Sequence, residues 1–266
     1  MTKTGKAGKS YIAATLAFLY VPIAVLIFFS FNKSKSRNLF TGFTLSWYRQ
    51  LFRNEMVLSA LSLTLLIAVI ASVCATLIGT AAAIGIHGMK KLPRTVVMNV
   101  TYTPIINPEI VTGVSMLLLF TTFRYFLNFE MGFGTLLIAH ISFNLPYVIL
   151  SVNPKLRQLD TSLYEAALDL GCTPGKAFFK VVIPQIMPGI MTGFLMALTY
   201  SIDDFVISYF TSGKIQTLSI AIYSMTRRKV SPEINALSTL LFAVVLSVLL
   251  LMNIKDIKKP KKKERS

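Results

Sequence analysis

The amino-acid sequence predicts an all-α, polytopic membrane protein with six transmembrane helices, and three observations support this fold class. Apolar residues make up 54% of the 266 residues and charged residues only 14%, whereas about a quarter of an average soluble domain is charged. The mean hydropathy is +0.64, and so few charges could not cover a water-facing surface. The charged residues also stand in short clusters between long uncharged runs, as membrane topology requires.

Six runs are long enough to cross a bilayer, because about 20 helical residues span a hydrocarbon core of about 30 Å. In chain order, the predicted spans are Ser10–Asn32, Met56–Met89, Thr95–Phe123, a segment within Met131–Pro154, a segment that begins after Pro184 and carries Asp203 and Asp204 near its far end, and Ile234–Ile254. The first span lacks the small-residue pattern of a cleavage site, so we expect it to remain as an anchor. Residues 1–266 are therefore expected to form a single transmembrane domain.

The distribution of basic residues predicts the orientation of these spans. An even number of spans places both termini on one side, and Lys and Arg are more numerous on that side, especially in the tail Lys258–Arg265. Since positive residues accumulate on the cytoplasmic side, we expect both termini in the cytoplasm. The 27 basic and 11 acidic residues give a net charge of +16. We attribute this excess to topology and do not expect nucleic-acid binding.

Residue types that carry catalysis are scarce. His87 and His140 lie in different spans without an HExxH pattern, which excludes a metalloprotease site on ligand count. Cys74 and Cys172 are far apart, so neither a disulfide framework nor a metal cluster is indicated.

Two further patterns fail to make an active site. The stretch from Gly171 to Lys176 lacks the spacing of a phosphate-binding loop. Asp203 and Asp204 are adjacent, and neighbouring residues of a helix point about 100° apart, so they cannot share a proton as an aspartic-protease pair does. We predict a chain without a catalytic residue, a metal site or a cofactor of its own.

Residues 153–184, between the fourth and fifth spans, are predicted to form a cytoplasmic loop of two short helices. The first helix should begin near Asp160 or Thr161, whose side chains can cap the free amides, and its apolar residues recur at helical spacing. Gly171 and Pro174 should end it, and Lys176–Ile183 should form a second, basic amphipathic segment. Periodicity alone also fits an ordinary interfacial helix hairpin.

One motif in this loop is long and specific. Glu165, Ala166 and Ala167 are followed after three residues by Gly171, and after nine more by Val181-Val182-Ile183-Pro184. This spacing resembles the EAA signature, EAA-x3-G-x9-I-x-L-P, of ATP-binding-cassette (ABC) importer permeases. The resemblance implies a binding-protein-dependent, type I ABC importer permease fold, with residues 153–184 as the loop that couples to a separate ATPase subunit. The implied coupling residues are Glu165, Ala166, Ala167, Gly171 and Pro184.

Further segments resemble one subfamily, the second permease subunit of spermidine/putrescine importers. They are Phe43–Tyr48, Asn107–Val111, Ile202–Ser208, Ile222–Met225 and Ser231–Leu237. The resemblance implies a polyamine importer in a bacterial inner membrane, in which this chain forms half of the translocation path among membrane lipid. It also implies four partners: a homologous permease subunit, two ATP-binding subunits that bind ATP and Mg, and an extracytoplasmic polyamine-binding protein.

Three carboxylates lie within the predicted spans, where each costs about 2.5 to 3.5 kcal/mol at a helix centre and must therefore face protein or water. Glu109 follows Pro104 and Pro108, so the third span should be broken there and its free carbonyls should line a cavity. Glu109 could belong to a substrate pathway or could serve an unsatisfied helix end.

Asp203 and Asp204 stand about 27 Å along the helix from Gln185 at 1.5 Å per residue, close to the outer face. In a continuous helix one polar face would carry Tyr200, Asp204, Ser208 and Thr211. We therefore expect Asp204 to face the pathway and Asp203 to pair with a neighbouring helix or the companion subunit. Anionic and aromatic groups would suit a cationic substrate such as a polyamine. A buried structural ion pair is the alternative for both aspartates.

Two other functions fit the sequence. An importer for another organic cation, or for an anion such as sulfate, would share the EAA loop, although an anion pathway should lack the aspartate pair. A membrane sensor or scaffold could dock an ATPase without moving a solute. A binding-protein-dependent uptake assay would separate these functions.

Overall fold

The structure is a computed structural model that describes residues 5–34, 39–228 and 232–257. These residues form helices and connecting loops, with one isolated bridge between Asn32 and Phe43, which confirms the all-α prediction. The helices are α1 (Lys6–Ser30), α2 (Ser46–Leu51), α3 (Glu55–His87), α4 (Lys91–Ile106), α5 (Glu109–Leu127), α6 (Phe133–Arg157), α7 (Thr161–Asp169), α8 (Pro174–Ala177), a π-helical segment (Phe178–Val182), α9 (Ile183–Asp203), α10 (Val206–Thr211), α11 (Leu218–Arg228) and α12 (Pro232–Ile257).

The chain divides into two compact units, residues 1–58 with 222–266 and residues 59–221. The single domain predicted for residues 1–266 stays a prediction. In the first unit, α12 packs against α1 and α2. Trp47 of α2 and Leu237 of α12 are buried in this unit, and the indole of Trp47 donates a 2.7 Å hydrogen bond to the backbone carbonyl of Asn32.

The second unit is built around the pair of helices α6 and α9. Its main core contains residues of α3, α4, α6 and α9, among them Ala83, Met98, Val148, Val152 and Ile186. A smaller core cluster joins α5, α6 and α10 through Phe120, Ala139, Phe143 and Ile207. These apolar stripes bury one face of each helix, and burial of such faces provides most helix stability in folded proteins.

Five helical segments in the described part of the chain are long and apolar enough to cross a membrane. They are Gly8–Ser30, Glu55–His87, Glu109–Leu127, Phe133–Arg157 and Pro174–Asp203. The sixth predicted span coincides with α12, and the count of six stays a prediction. The basic tail Lys258–Arg265 lies outside the described residues.

The predicted break in the third span is confirmed. Helix α4 ends at Ile106, Asn107 is extended with φ −70° and ψ 142°, and α5 begins at Glu109. The cause is local, because the ring of Pro108 disfavours a helical conformation at the preceding residue and supplies no N–H.

The predicted start of the fifth span, after Pro184, is wrong. Residues Pro174–Asp203 form a helical run that passes through the π-helical segment and through Pro184. The wider π turn precedes Pro184 directly, and it accommodates a ring that would otherwise meet the carbonyl four residues earlier. The second loop helix is therefore the beginning of the membrane helix itself.

Candidate functional site

The EAA loop forms α7, and its beginning agrees with the sequence prediction. The Asp160 carboxylate caps the helix by accepting hydrogen bonds from the backbone N–H of Ser162 at 3.0 Å and from its hydroxyl at 2.6 Å. Glu165 and Ala166 are exposed on this helix, and Ala167 is half-buried.

The turn after α7 explains the glycine of the motif. Gly171 has φ +84°, a left-handed conformation that disfavours any residue with a Cβ atom. Its N–H donates to the carbonyl of Leu168 at 2.9 Å, and the N–H of Cys172 donates to that of Ala167 at 3.0 Å. This pair of bonds is a Schellman motif, which satisfies the last carbonyls of the helix.

Helix α7 has no buried residue within its own chain. Leu163 is 51% exposed and Leu170 at its end is 86% exposed. Exposed apolar side chains on a short polar loop are typical of a surface that another protein covers.

The helical run from Pro174 links this loop to the aspartate pair. Its 30 residues extend about 45 Å at 1.5 Å per residue. Its contact face against α6 carries a small residue every fourth position: Gly189, Gly193, Ala197 and Ser201, all buried. A Cβ atom added at Gly193 would lie 3.1 Å from Cα of Val148 on α6. The backbones of α6 and α9 therefore approach closely, as small residues allow in membrane helices.

The helix does not continue through the aspartates, so the polar face predicted from Tyr200 to Thr211 is wrong. Helix α9 ends at Asp203, Asp204 is extended with ψ 123°, and α10 starts at Val206. The Asp204 carboxylate replaces the missing helical bonds, because it accepts from the N–H of Ile207 at 3.2 Å and from the N–H of Ser208 at 2.7 Å.

His140 of α6 joins both sides of this break. Its Nδ1 shares a 2.6 Å hydrogen bond with the hydroxyl of Ser201, and its Nε2 shares a 3.0 Å bond with the hydroxyl of Ser208. Nε2 also lies 3.5 Å from Oδ2 of Asp204, and both side chains are 3% exposed. The side chain of Asp204 is thus enclosed by protein, as in the structural alternative, whereas Asp203 is exposed.

A separate group of aromatic and acidic side chains comes from α5, α6 and α9. The rings of Tyr147 and Tyr200 are 4.4 Å apart between centroids, and Phe143 meets both rings edge-on. The hydroxyl of Tyr147 is within electrostatic range of Glu109. Glu109 itself is exposed at the first turn of α5. We call Glu109, Tyr147 and Tyr200 the aromatic-acidic group.

The predicted pathway residues therefore separate into three places. Tyr200 and Glu109 belong to the aromatic-acidic group, Asp204 and Ser208 belong to the hydrogen-bond network of His140, and Asp203 is exposed at the end of α9. Sequence reasoning missed Tyr147 and the role of His140. The available signal was the polar residues at positions 140, 144, 147 and 151, which recur at helical spacing in a largely apolar span.

Residues 75–263 match the family of binding-protein-dependent transport system inner membrane components. The chain belongs to this family. Membership confirms the prediction of a multi-pass transport subunit and not an enzyme. The matched residues include the EAA loop, the aromatic-acidic group and the network of His140.

Two Escherichia coli (strain K12) permeases are similar over most of their length. The putrescine transport system permease protein PotI is 40% identical over 233 residues, which cover 86% of this chain and 83% of that protein. The spermidine/putrescine transport system permease protein PotC is 36% identical over 237 residues, which cover 89% and 88%.

Solved structures show that this permease has the fold of ABC importer subunits. A bacterial ABC transporter involved in the import of the acidic polysaccharide alginate superposes with a TM-score of 0.68 at 12% identity, covering 97% of this chain and 100% of that chain. An inward-facing MetNI methionine ABC transporter superposes with a TM-score of 0.60 at 17% identity, covering 76% and 95%.

Proposed function

We propose that the chain is a permease subunit of an ATP-driven polyamine importer, of the class that carries putrescine or spermidine across a bacterial inner membrane. Both termini lie in the cytoplasm, and the chain forms half of the translocation path. The observation that carries this proposal is the aromatic-acidic group, in a chain whose relatives are named for putrescine and spermidine transport.

The chemistry of this group fits an ammonium group. Tyrosine rings attract cations through their faces, and a carboxylate supplies a charge-assisted hydrogen bond in place of the water that the substrate loses. Asp203 is three residues from Tyr200 on α9, so the two side chains share a helix face. Glu109, Tyr147, Tyr200 and Asp203 would thus offer charge and aromatic surface to a flexible dication.

Asp204 and Ser208 serve the same pathway indirectly. Asp204 is held by His140 and by the amides of α10, so it fixes the break that leaves Asp203 exposed at the end of α9. We therefore assign the direct contact with substrate to Asp203 and a positioning role to Asp204.

Coupling to ATP hydrolysis takes place at α7. Glu165 and the exposed leucines Leu163 and Leu170 would seat in a cleft of an ATPase subunit, which binds ATP and Mg. The helical run from Pro174 would carry the movement to the aspartate pair, because its close packing on α6 keeps it stiff. The complete importer would contain a second permease subunit, two ATPase subunits and an extracytoplasmic polyamine-binding protein.

Uptake by the reconstituted importer tests both assignments. With the binding protein and ATP present, Asp203→Asn and Tyr200→Leu should each lower putrescine or spermidine uptake about tenfold, because one charge-assisted or cation–π contact contributes about 1 to 3 kcal/mol. Glu130→Gln is the matched control, since Glu130 is an exposed carboxylate paired with Lys214 outside the aromatic-acidic group. It should transport as the wild type does.

Glu165→Lys tests the coupling loop in the same vesicles. It should abolish uptake and the stimulation of ATPase activity while the four subunits still assemble. Normal uptake by Asp203→Asn and Tyr200→Leu would contradict the pathway assignment, and normal uptake by Glu165→Lys would contradict the coupling assignment. A wild-type complex that hydrolyses ATP but moves no polyamine would contradict the proposed function itself.

A further inference from the structure

An open cleft of about 370 Å³ lies between the first turns of α4 and the end of α6, and no residue of the aromatic-acidic group or of α7 lines it. Lys91 and Arg94 of α4 and Arg157 of α6 line one part of it. Asn99, Met98 and Tyr102 continue the lining along α4. We call this feature the basic cleft.

The three basic side chains of the basic cleft have no acidic partner in the described part of the chain. The contacts there between basic and acidic side chains join His140 to Asp204 and Lys214 to Glu130. The sequence explains this, because no Asp or Glu stands between Glu55 and Glu109 or between Glu130 and Asp160. The helices that build the cleft therefore cannot neutralise it.

Arg94 is held in place before any ligand arrives. Arg94 donates a 3.4 Å hydrogen bond to Oδ1 of Asn153, a residue of α6 that is 5% exposed. The amide of Asn153 is oriented by a 3.8 Å contact with the sulfur of Met98. The cleft thus gathers positive charge from two helices, α4 and α6.

The start of α4 adds to this charge. Its N-cap residue, Lys90, makes no side-chain capping bond, and the first turn contains no acidic residue. The free amides and the helix dipole at this end favour an anion.

We propose that the basic cleft binds the phosphate of an anionic phospholipid headgroup. Basic pockets between transmembrane helices at the membrane boundary commonly bind such headgroups. The lining of the cleft also changes along α4 from charged to uncharged side chains, as a lipid changes from headgroup to acyl chain. The charged residues lie at the start of α4, and Met98, Asn99 and Tyr102 follow farther along.

The length of the lined face favours a lipid over a soluble phosphate. From Lys91 to Tyr102 this face extends about 16 Å at 1.5 Å per residue, enough to follow an acyl chain into the bilayer. A different side of α4 carries Leu92, Val96 and Val100, which are 81%, 57% and 67% exposed. A free phosphate ion would occupy only the basic end of the lined face.

Lipid titration of the purified full-length importer, monitored by native mass spectrometry, tests the proposal. Phosphatidylglycerol should bind more tightly than zwitterionic phosphatidylcholine. Since each basic residue near a membrane surface contributes a factor of about five, Arg94→Gln combined with Arg157→Gln should weaken phosphatidylglycerol binding about 25-fold. The control pair Lys9→Gln and Lys180→Gln removes the same charge from exposed residues that do not line the cleft, and its binding should stay within about twofold of the wild type.

Four results would overturn the proposal. Equal binding of phosphatidylglycerol and phosphatidylcholine by the wild-type protein would overturn it. This measurement does not depend on the folding of any variant. Equal weakening in the control pair would indicate a diffuse surface effect. Displacement of the lipid by equimolar inorganic phosphate would make soluble phosphate the ligand. The fourth result has two parts: Asn99→Cys forms a disulfide with a cysteine of a companion subunit, and lipid binding is lost on assembly. Together these observations would make the cleft a protein interface.

Discussion

Asp203 and Asp204 are chemically identical neighbours, and their surroundings give them different tasks. Asp204 accepts two backbone hydrogen bonds and contacts His140 in a buried site, whereas Asp203 ends α9 and is exposed. A buried carboxylate that loses its charge or its partners leaves donors unsatisfied, which costs about 1 to 3 kcal/mol. Exposed carboxylates carry no such cost.

The two aspartates should therefore separate stability from transport. We expect Asp204→Asn to lower the free energy of unfolding by about 1 to 3 kcal/mol, because asparagine keeps an acceptor but loses the charge beside His140 and the second carboxylate oxygen. Asp203→Asn should leave stability unchanged and reduce uptake. Thermal unfolding of the detergent-solubilised chain, compared with uptake at matched subunit levels, measures both effects. Equal stability of the two variants would contradict the capping role of Asp204.

At the scale of the elements, the close contact of α6 and α9 is the main structural feature of the second unit. A Cβ atom at Gly189 would lie 2.9 Å from the backbone carbonyl of Ser151 and 2.8 Å from Cγ of Lys155. These neighbours are a backbone atom and the base of a side chain, so neither can move away easily.

Gly189→Ala should separate the two helices. We expect a loss of about 1 to 3 kcal/mol in the free energy of unfolding, the usual cost of overpacking, together with reduced uptake because the helical run no longer transmits movement firmly. Gly85→Ala is the matched control, since it lies inside α3 with nothing within 4 Å of the added Cβ. It should be neutral or slightly stabilising. A neutral Gly189→Ala would show that the helices are less closely packed than the structure indicates.

At the scale of the whole molecule, the topology predicted from the basic residues can be measured directly. The positions Ser36 and Ser266, natural choices for labelling the two sides, lie outside the described residues. We therefore choose two described positions for labelling. One is Cys172 in the EAA loop, and the other is Thr41, which is exposed between α1 and α2.

A membrane-impermeant maleimide should react with Cys172 in a Cys74→Ser background only in inverted vesicles. Thr41→Cys, in a chain that lacks both native cysteines, should react only in right-side-out vesicles. The reason is that three predicted spans, the second to the fourth, lie between the two positions, and an odd number of spans places them on opposite faces of the membrane. Labelling of both positions from the same side would contradict that topology.

The sequence alone determined features that depend on neighbouring residues. Long apolar runs indicated five helices that are long and apolar enough to cross a membrane, Pro108 located the break before Glu109, and Asp160 located the start of α7. Gly171 marked its end, because a left-handed turn requires a residue without a Cβ atom. Each of these signals lies within one continuous segment of the chain, so none of them depends on how the helices pack.

Only the tertiary structure decided which aspartate is enclosed and where the fifth membrane helix begins and ends. Asp204 meets His140, a residue far away in the sequence, and their pairing depends on how α6 packs against α9 and α10. Pro184 continues a helix because the preceding π turn makes room for its ring. A periodic pattern assumes an unbroken, regular helix, and it fails wherever distant side chains or an altered turn replace the helix's own hydrogen bonds.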